Sequence, residues 1–182
     1  MKQNRLRTII AVAFAIISMG VWADDVSRIA IAEIQNGTIT AGTVAETGEQ
    51  TVTLTVTPDK GFFIEASDII VSKTSSTALA RGAAPGYAEK LKVTAVEVDN
   101  KGAGTYQFTV PDGCGAYVEA TFKKMGDANG DNAVNAADIV ELVNYIMNKK
   151  SEKFDEKAAD VNGDGTVNAA DIVAIVNIIM GL

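Results

Sequence analysis

The feature that most constrains this chain is a 22-residue unit that occurs twice near its C-terminal end. Asp127 to Asn148 reads DANGDNAVNAADIVELVNYIMN, Asp160 to Gly181 reads DVNGDGTVNAADIVAIVNIIMG, and 15 of the 22 positions are identical at an offset of 33. A fixed period of this kind marks a duplicated supersecondary unit, and two copies separated only by the Lys/Glu-rich stretch 149–159 are expected to pack against each other.

Each copy opens with oxygen-bearing side chains at alternate positions. In the first, Asp127, Asn129 and Asp131 occupy positions 1, 3 and 5 of a 12-residue loop, Ala133 offers its carbonyl at 7, Asn135 stands at 9 and Asp138 at 12. In the second, Asp160, Asn162, Asp164, Thr166, Asn168 and Asp171 take the same places. A hard cation that accepts six to eight oxygens suits a loop whose alternate side chains turn inward, so the spacing predicts two calcium ions. Magnesium prefers to keep its waters in a tight octahedron, and transition metals favour nitrogen or sulfur ligands. Position 12 must supply both carboxylate oxygens, and with Asp in place of the usual Glu the helix that carries it has to lie closer to the ion. Position 6 is Gly165 in the second copy but Asn132 in the first; Asn is the next best residue for a left-handed backbone, so some loss of affinity is expected there.

A helix is predicted after each loop. Ile139, Leu142, Val143 and Ile146 fall at i, i+3, i+4 and i+7, and Ile172, Ile175, Val176 and Ile179 repeat the stripe. Val140, Met147, Val173 and Met180 widen it. Burying the two stripes against each other would make a mini-core from about 57 residues, a size at which a bound metal often completes the fold, so calcium binding is expected to be folding free energy.

Residues 24–125 have a different texture. Thr51 to Thr57, TVTLTVT, alternates strictly with β-branched residues, and Pro58-Asp59-Lys60-Gly61 supplies a turn after it. Further strands are predicted over Arg28 to Ile34, Thr38 to Ala41, Ile69 to Lys73, Leu91 to Val98, Thr105 to Val110 and Ala116 to Phe122. Six to seven short strands argue an all-β domain, either a small sandwich or a β-grasp-like sheet, followed by an all-α domain of two loop-helix repeats over 126–182. Thr74 to Glu89, with Arg81 and Tyr87, reads as a long surface loop or short helix.

The first 23 residues are expected to be a secretory signal peptide. Lys2, Arg5 and Arg7 precede an apolar stretch from Thr8 to Val21, too short to span a bilayer, and Val21-Trp22-Ala23 fits a cleavage site. The mature chain is therefore expected to be secreted, extracellular or held at the cell surface, without membrane insertion. Cleavage leaves 13 basic residues against 23 acidic ones, which argues against nucleic acid. The chain has no histidine, which excludes Ser-His-Asp, Cys-His and HExxH chemistry, and the single Cys114 can form neither an intramolecular disulfide nor a zinc site. A glycosidase would need a carboxylate pair in a cleft, and Glu33, Glu65, Asp68, Glu97 and Glu119 are scattered at ordinary density. No catalytic residues are assigned and no enzyme is expected. A sugar platform is disfavoured too, since the only tryptophan, Trp22, leaves with the leader.

The motif D-x-N-G-D-x-x-V-N-A-A-D followed by an apolar helix and repeated after 33 positions resembles that of type I dockerins over Gly126 to Leu182. The resemblance implies two calcium loop-helix units about an approximate two-fold axis. It further implies that they bind a cohesin module of a scaffoldin-type protein, so that their host joins a cellulosome-like, polysaccharide-degrading complex. The family's cohesin contacts fall here on Ala136, Ala137, Val140, Asn144 and Asn148 in the first copy and on Ala169, Ala170, Val173 and Asn177 in the second. Because the alanine pairs are identical, either face could bind in one of two orientations; the small apolar residues and the absence of Lys or Arg at the helix contacts leave the identity of the partner open. Residues 28–123, through NGTITAG, TVTLTVTPDKGF and TYQFTVPDGCGAYVEATF, resemble divergent internalin-B-like bacterial surface repeats, which implies a spacer or adhesive role. The alternatives to cohesin docking are an accessory component of a glycoside-hydrolase system with a polysaccharide-binding β-domain, and a stand-alone calcium-stabilised surface protein.

Overall fold

The structure, a computed structural model, describes residues 29–44, 49–75 and 89–182; the expected leader, and Arg81 and Tyr87 with most of the expected loop, lie outside the described residues. The strands are β1 (Ile29–Ile31), β2 (Gly37–Val44), β3 (Gln50–Pro58), β4 (Phe62–Phe63), β5 (Ile69–Ser75), β6 (Lys90–Leu91), β7 (Thr94–Val98), β8 (Gly104–Val110), β9 (Cys114–Ala120) and β10 (Lys123–Lys124). They form one sheet in the order β1-β9-β5-β6, a second in the order β2-β3-β8-β7, and a separate β4-β10 pair. β1 runs parallel to β9, while the neighbours in the second sheet are all antiparallel.

Alternation explains how the sheets meet. In β3, Val52, Leu54 and Val56 are buried while the intervening threonines turn outward, and cross-strand registry with β8 sets Phe108 beside Val52 and Tyr106 beside Leu54. These side chains share one core with Ile69 and Val71 of β5 and Ala116 and Val118 of β9. Two sheets filling a common core are a sandwich, and no helix among the described residues packs over either sheet as a β-grasp arrangement would require. The strand count exceeds expectation for a local reason. Leu91 to Val98 is not one strand: β6 belongs to the first sheet and β7 to the second, so the chain crosses between sheets at Lys92–Val93. Likewise Ala116 to Phe122 ends at Ala120, and Phe122 turns into the core before β10 resumes. The buried Tyr106 hydroxyl donates to the Gly102 carbonyl at 2.9 Å, which ties the β7–β8 turn to the sheet; burial pushes the phenol's pKa up.

Beyond β10 come helices α1 (Ala136–Ile146), α2 (Glu156–Ala159) and α3 (Ala169–Met180). α1 and α3 pack together through the fully buried Leu142 and Ile175, with Ala128, Phe154 and Ala159 completing the cluster. Tyr145 and Phe154 stack with ring centroids 4.6 Å apart. The expected burial of whole apolar stripes is corrected here. Ile139, Ile172 and Val176 are half-buried, whereas Val143, Ile146 and Ile179 are exposed, as are Val140, Met147, Val173 and Met180. Two helices hide only the residues along their line of contact, and no third layer among the described residues covers their outer sides.

The sandwich and the helical region share a seam. β10 pairs with β4, and Phe63 of β4 is enclosed with Met125 and Ala158. Lys123 Nζ lies 3.3 Å from Asp68, 3.4 Å from Glu65 and 3.4 Å from Asp155, and Lys157 pairs with Glu65 at 3.8 Å. Both ammonium groups lie over the Phe63 ring, 5.7 and 5.9 Å from its centre. Two of the five carboxylates weighed above as scattered, Glu65 and Asp68, are thus engaged in this seam.

Candidate calcium loops and helix surface

The two loops fold by the same local rules. Asp127 accepts from the backbone N–H of Asp131 at 3.0 Å and of Asn132 at 2.8 Å; Asp160 accepts from those of Gly163, Asp164 and Gly165 at 2.9, 3.1 and 2.9 Å. Asn129 and Asn162 each accept from the N–H two residues on, as do Asp131 and Asp164. These side-chain turns curl the backbone of each loop. Positions 4 and 6 are left-handed in both copies: Gly130 φ 72° and Asn132 φ 68°, Gly163 φ 73° and Gly165 φ 85°. Asn132 takes the conformation expected of it from sequence.

Positions 9 and 12 also start the helices. Asn135 and Asn168 are the N-caps of α1 and α3, each accepting from the N–H two residues later at 2.8 Å. Asp138 and Asp171 return a bond to the cap's own N–H, at 2.8 and 2.9 Å, which closes a capping box on each helix. The other oxygen of each carboxylate accepts from Asn129 N–H or Asn162 N–H, both at 3.2 Å, and so ties the loop's start to its end. This second role was legible in N-A-A-D, a capping box with Asp in place of Glu, but only the ligand spacing was read from it.

The charge balance of the loops is unusual. Asp138 and Asp171 are wholly buried and Asp127 nearly so, yet none of the six loop aspartates forms an ion pair among the described residues. A buried carboxylate without a counter-charge costs several kcal/mol, of which two N–H donors recover part. Asp164, at the exposed rim, has its pKa lowered by hydrogen bonds from the Thr166 hydroxyl, the Asn162 amide and the Thr166 N–H. No group of three or more His, Cys, Asp or Glu side chains among the described residues is arranged to hold a metal by itself. The donor set in each loop is mixed carboxylate, amide and carbonyl oxygen, which suits a hard cation and offers nothing to a soft one.

Eight of the nine residues expected to touch a partner are plainly exposed. Val140 and Val173, at the same position of the two repeats, expose 58% and 60% of their surface and so lie outside the core. Ala136, Ala137, Ala169, Ala170 and Asn177 are exposed as well, Asn148 is exposed at the end of α1, and Asn144 is half-buried. The structure adds exposed Met147, Ile178 and Met180 to this surface, and a shallow groove brings Tyr145, Ile146 and Asn148 of the first repeat beside Val167 and Ala169 of the second. Among the described residues of the sandwich, Phe62 and Tyr117 are half-buried and the other aromatic side chains are buried. Nor is any helix among them long and apolar enough to cross a membrane.

Residues 125–180 match the family model described as the dockerin type I domain. No curated protein and no solved structure matches the chain. Type I dockerins bind calcium, bind cohesin modules and are themselves non-catalytic.

Proposed function

We propose that this is a secreted, non-catalytic protein in which residues 126–182 form a calcium-dependent dockerin that attaches the β-domain of residues 24–125 to a cohesin-bearing extracellular or cell-surface complex. The family match over 125–180 supports the docking role. The observation that carries the calcium reading is the pair of buried carboxylates, Asp138 and Asp171, which have no counter-charge among the described residues.

In this reading Asp127, Asn129, Asp131, the Ala133 carbonyl, Asn135 and Asp138 would hold one ion, and Asp160, Asn162, Asp164, the Thr166 carbonyl, Asn168 and Asp171 a second. The bound cation supplies the missing counter-charge. The protein's own residues do the rest: the carboxylate pairs hold the loop ends together, the capping boxes start α1 and α3, and Leu142 against Ile175 fixes the helix pair. What remains outside is an apolar patch around Val140 and Val173, flanked by amides that can exchange hydrogen bonds with a partner's backbone. Its apolar centre and polar rim have the composition of a recognition surface.

The test is a pull-down of the mature chain with a panel of type I cohesins, with and without chelator. Retention by at least one cohesin only when calcium is present supports the reading. Retention by none, with calcium bound and the helices formed, would leave a calcium-stabilised module without a docking role.

A further inference from the structure

The calcium loops are held from outside by the sandwich, at points related by the internal repeat. Met125 and Ala158 are equivalent under the 33-residue offset, each lies two residues before the first aspartate of its loop, and both pack on the same ring, Phe63 of β4. The Gly126 N–H donates to the Ala158 carbonyl at 2.7 Å, which binds the two entry points together, and the Met125 N–H donates to the Gly61 carbonyl at 2.9 Å. α2 delivers Asp160 directly as its own C-cap, while Asp155 at its other end is held by Lys123. One strand of the β-domain therefore fixes where both loops begin.

Each loop also receives one side-chain hydrogen bond from elements on the sandwich side of the seam. Lys124 of β10 donates to the Asn132 carbonyl at 2.8 Å, and Asn100 of the β7–β8 turn donates to the Gly163 carbonyl at 3.1 Å. The second contact is close. A Cβ on Gly163 would stand 2.4 Å from Asn100 Nδ2, and Gly163 is left-handed at φ 73°. The turn carrying Asn100 is organised independently of the loop: Asp99 accepts from the N–H groups of Lys101 and Ala103 at 2.9 and 2.8 Å, and the Ile64 N–H donates to the Lys101 carbonyl at 3.0 Å. Asn100 is thus presented by a preformed turn and does not depend on the loop for its position.

We propose that the β-domain is an intramolecular buttress of the calcium loops, with Asn100 a positioning residue for the second loop, so that calcium occupancy and the stability of the sandwich are thermodynamically linked. The inference rests on the calcium reading given above. Orienting the Gly163 carbonyl outward helps keep the Asp160 to Asp164 arc in the curl its ligand positions need. By linkage, anything that stabilises that curl is itself stabilised by the ion.

The experiment uses the full mature chain and calcium itself. Calorimetric titration of the parent and of Asn100→Ala is expected to show two sites in both. One site should weaken about three- to ten-fold in the variant, the equivalent of one hydrogen bond, and the other should be unchanged. Asp171→Asn identifies the affected site as the second loop, because the affinity lost in Asn100→Ala should be the one abolished there. In the parent, adding calcium should also slow amide exchange in Lys101 to Phe108, and this slowing should shrink in Asn100→Ala. Unchanged far-UV dichroism and an intact first site show that the variant is folded. Two sites of unaltered affinity, or calcium-independent exchange in the turn, would overturn the buttress while leaving the calcium reading standing. A parent chain that binds no calcium would overturn both.

Discussion

Asp138 and Asp171 are the residues on which the C-terminal region turns, because each closes a capping box and ties the loop ends together, and in the proposed reading also serves as a ligand. Asp171→Asn is expected to lower calcium affinity at the second loop by more than the roughly 10- to 100-fold that losing an outer-shell partner costs, with the first loop affected only a few-fold; calorimetry reads both. Backbone strain offers a cleaner probe. A Cβ at Gly165 would meet nothing within 4 Å, so Gly165→Ala tests only the φ of +85°. It should cost about 1–2 kcal/mol in the thermal stability of the calcium-loaded protein. Asn132→Gly should move the first loop the other way by a smaller amount. The candidate ligand positions stood out in the sequence because alternate oxygens in a 12-residue window form a local pattern. Asn100 was not, since it meets Gly163 across 63 residues of chain and nothing in either stretch announces the other.

Among the elements, the helix pair separates packing from display. Leu142 is fully buried between α1 and α3, and Leu142→Ala should cost about 2–5 kcal/mol, measured by denaturant unfolding in calcium. Val140→Asp and Val173→Asp, at mostly exposed positions, should each change stability by no more than about 0.5 kcal/mol. If the two repeats present equivalent faces, either change alone should leave cohesin binding and the double variant should abolish it, which a binding isotherm with each protein distinguishes. The long strands were readable from alternation, above all in TVTLTVT. The two-residue strands β4, β6 and β10 were not, because two residues carry no period. The stripes on α1 and α3 showed which residues share a face, but periodicity alone does not say whether that face is covered. Val143, Ile146 and Ile179 proved to be on its open side.

At the scale of the whole molecule, the seam joins two differently built regions by packing and ion pairs, and its charges give it a pH signature. Burial alone would pull Lys123 down, but Asp68, Asp155 and Glu65 outweigh it and hold its pKa above the ordinary 10.5. The folded protein therefore binds that proton more tightly than the unfolded chain. The seam's contribution is present in full below 10.5 and is lost as the pH rises through the higher folded value. Glu156 behaves oppositely: hydrogen bonds from Lys150 and the Tyr145 hydroxyl hold it below 4.5, so its contribution is present above that value and fades on acidification through the lower folded one. Thermal melts across both windows should show the parent losing stability at each end, and Lys123→Met should remove the alkaline loss attributed to this lysine. The shared anchor of both loops on Phe63 joins residues far apart in the chain and needed the fold.

The measurement that bears most directly on the account is calcium titration of the mature chain by calorimetry, followed by far-UV dichroism as the ions are stripped with chelator. Two bound ions, and loss of the helical signal when they are removed while the β signal persists, are the expected results. Helices that persist unchanged in chelator, with no calcium taken up on titration, would contradict it.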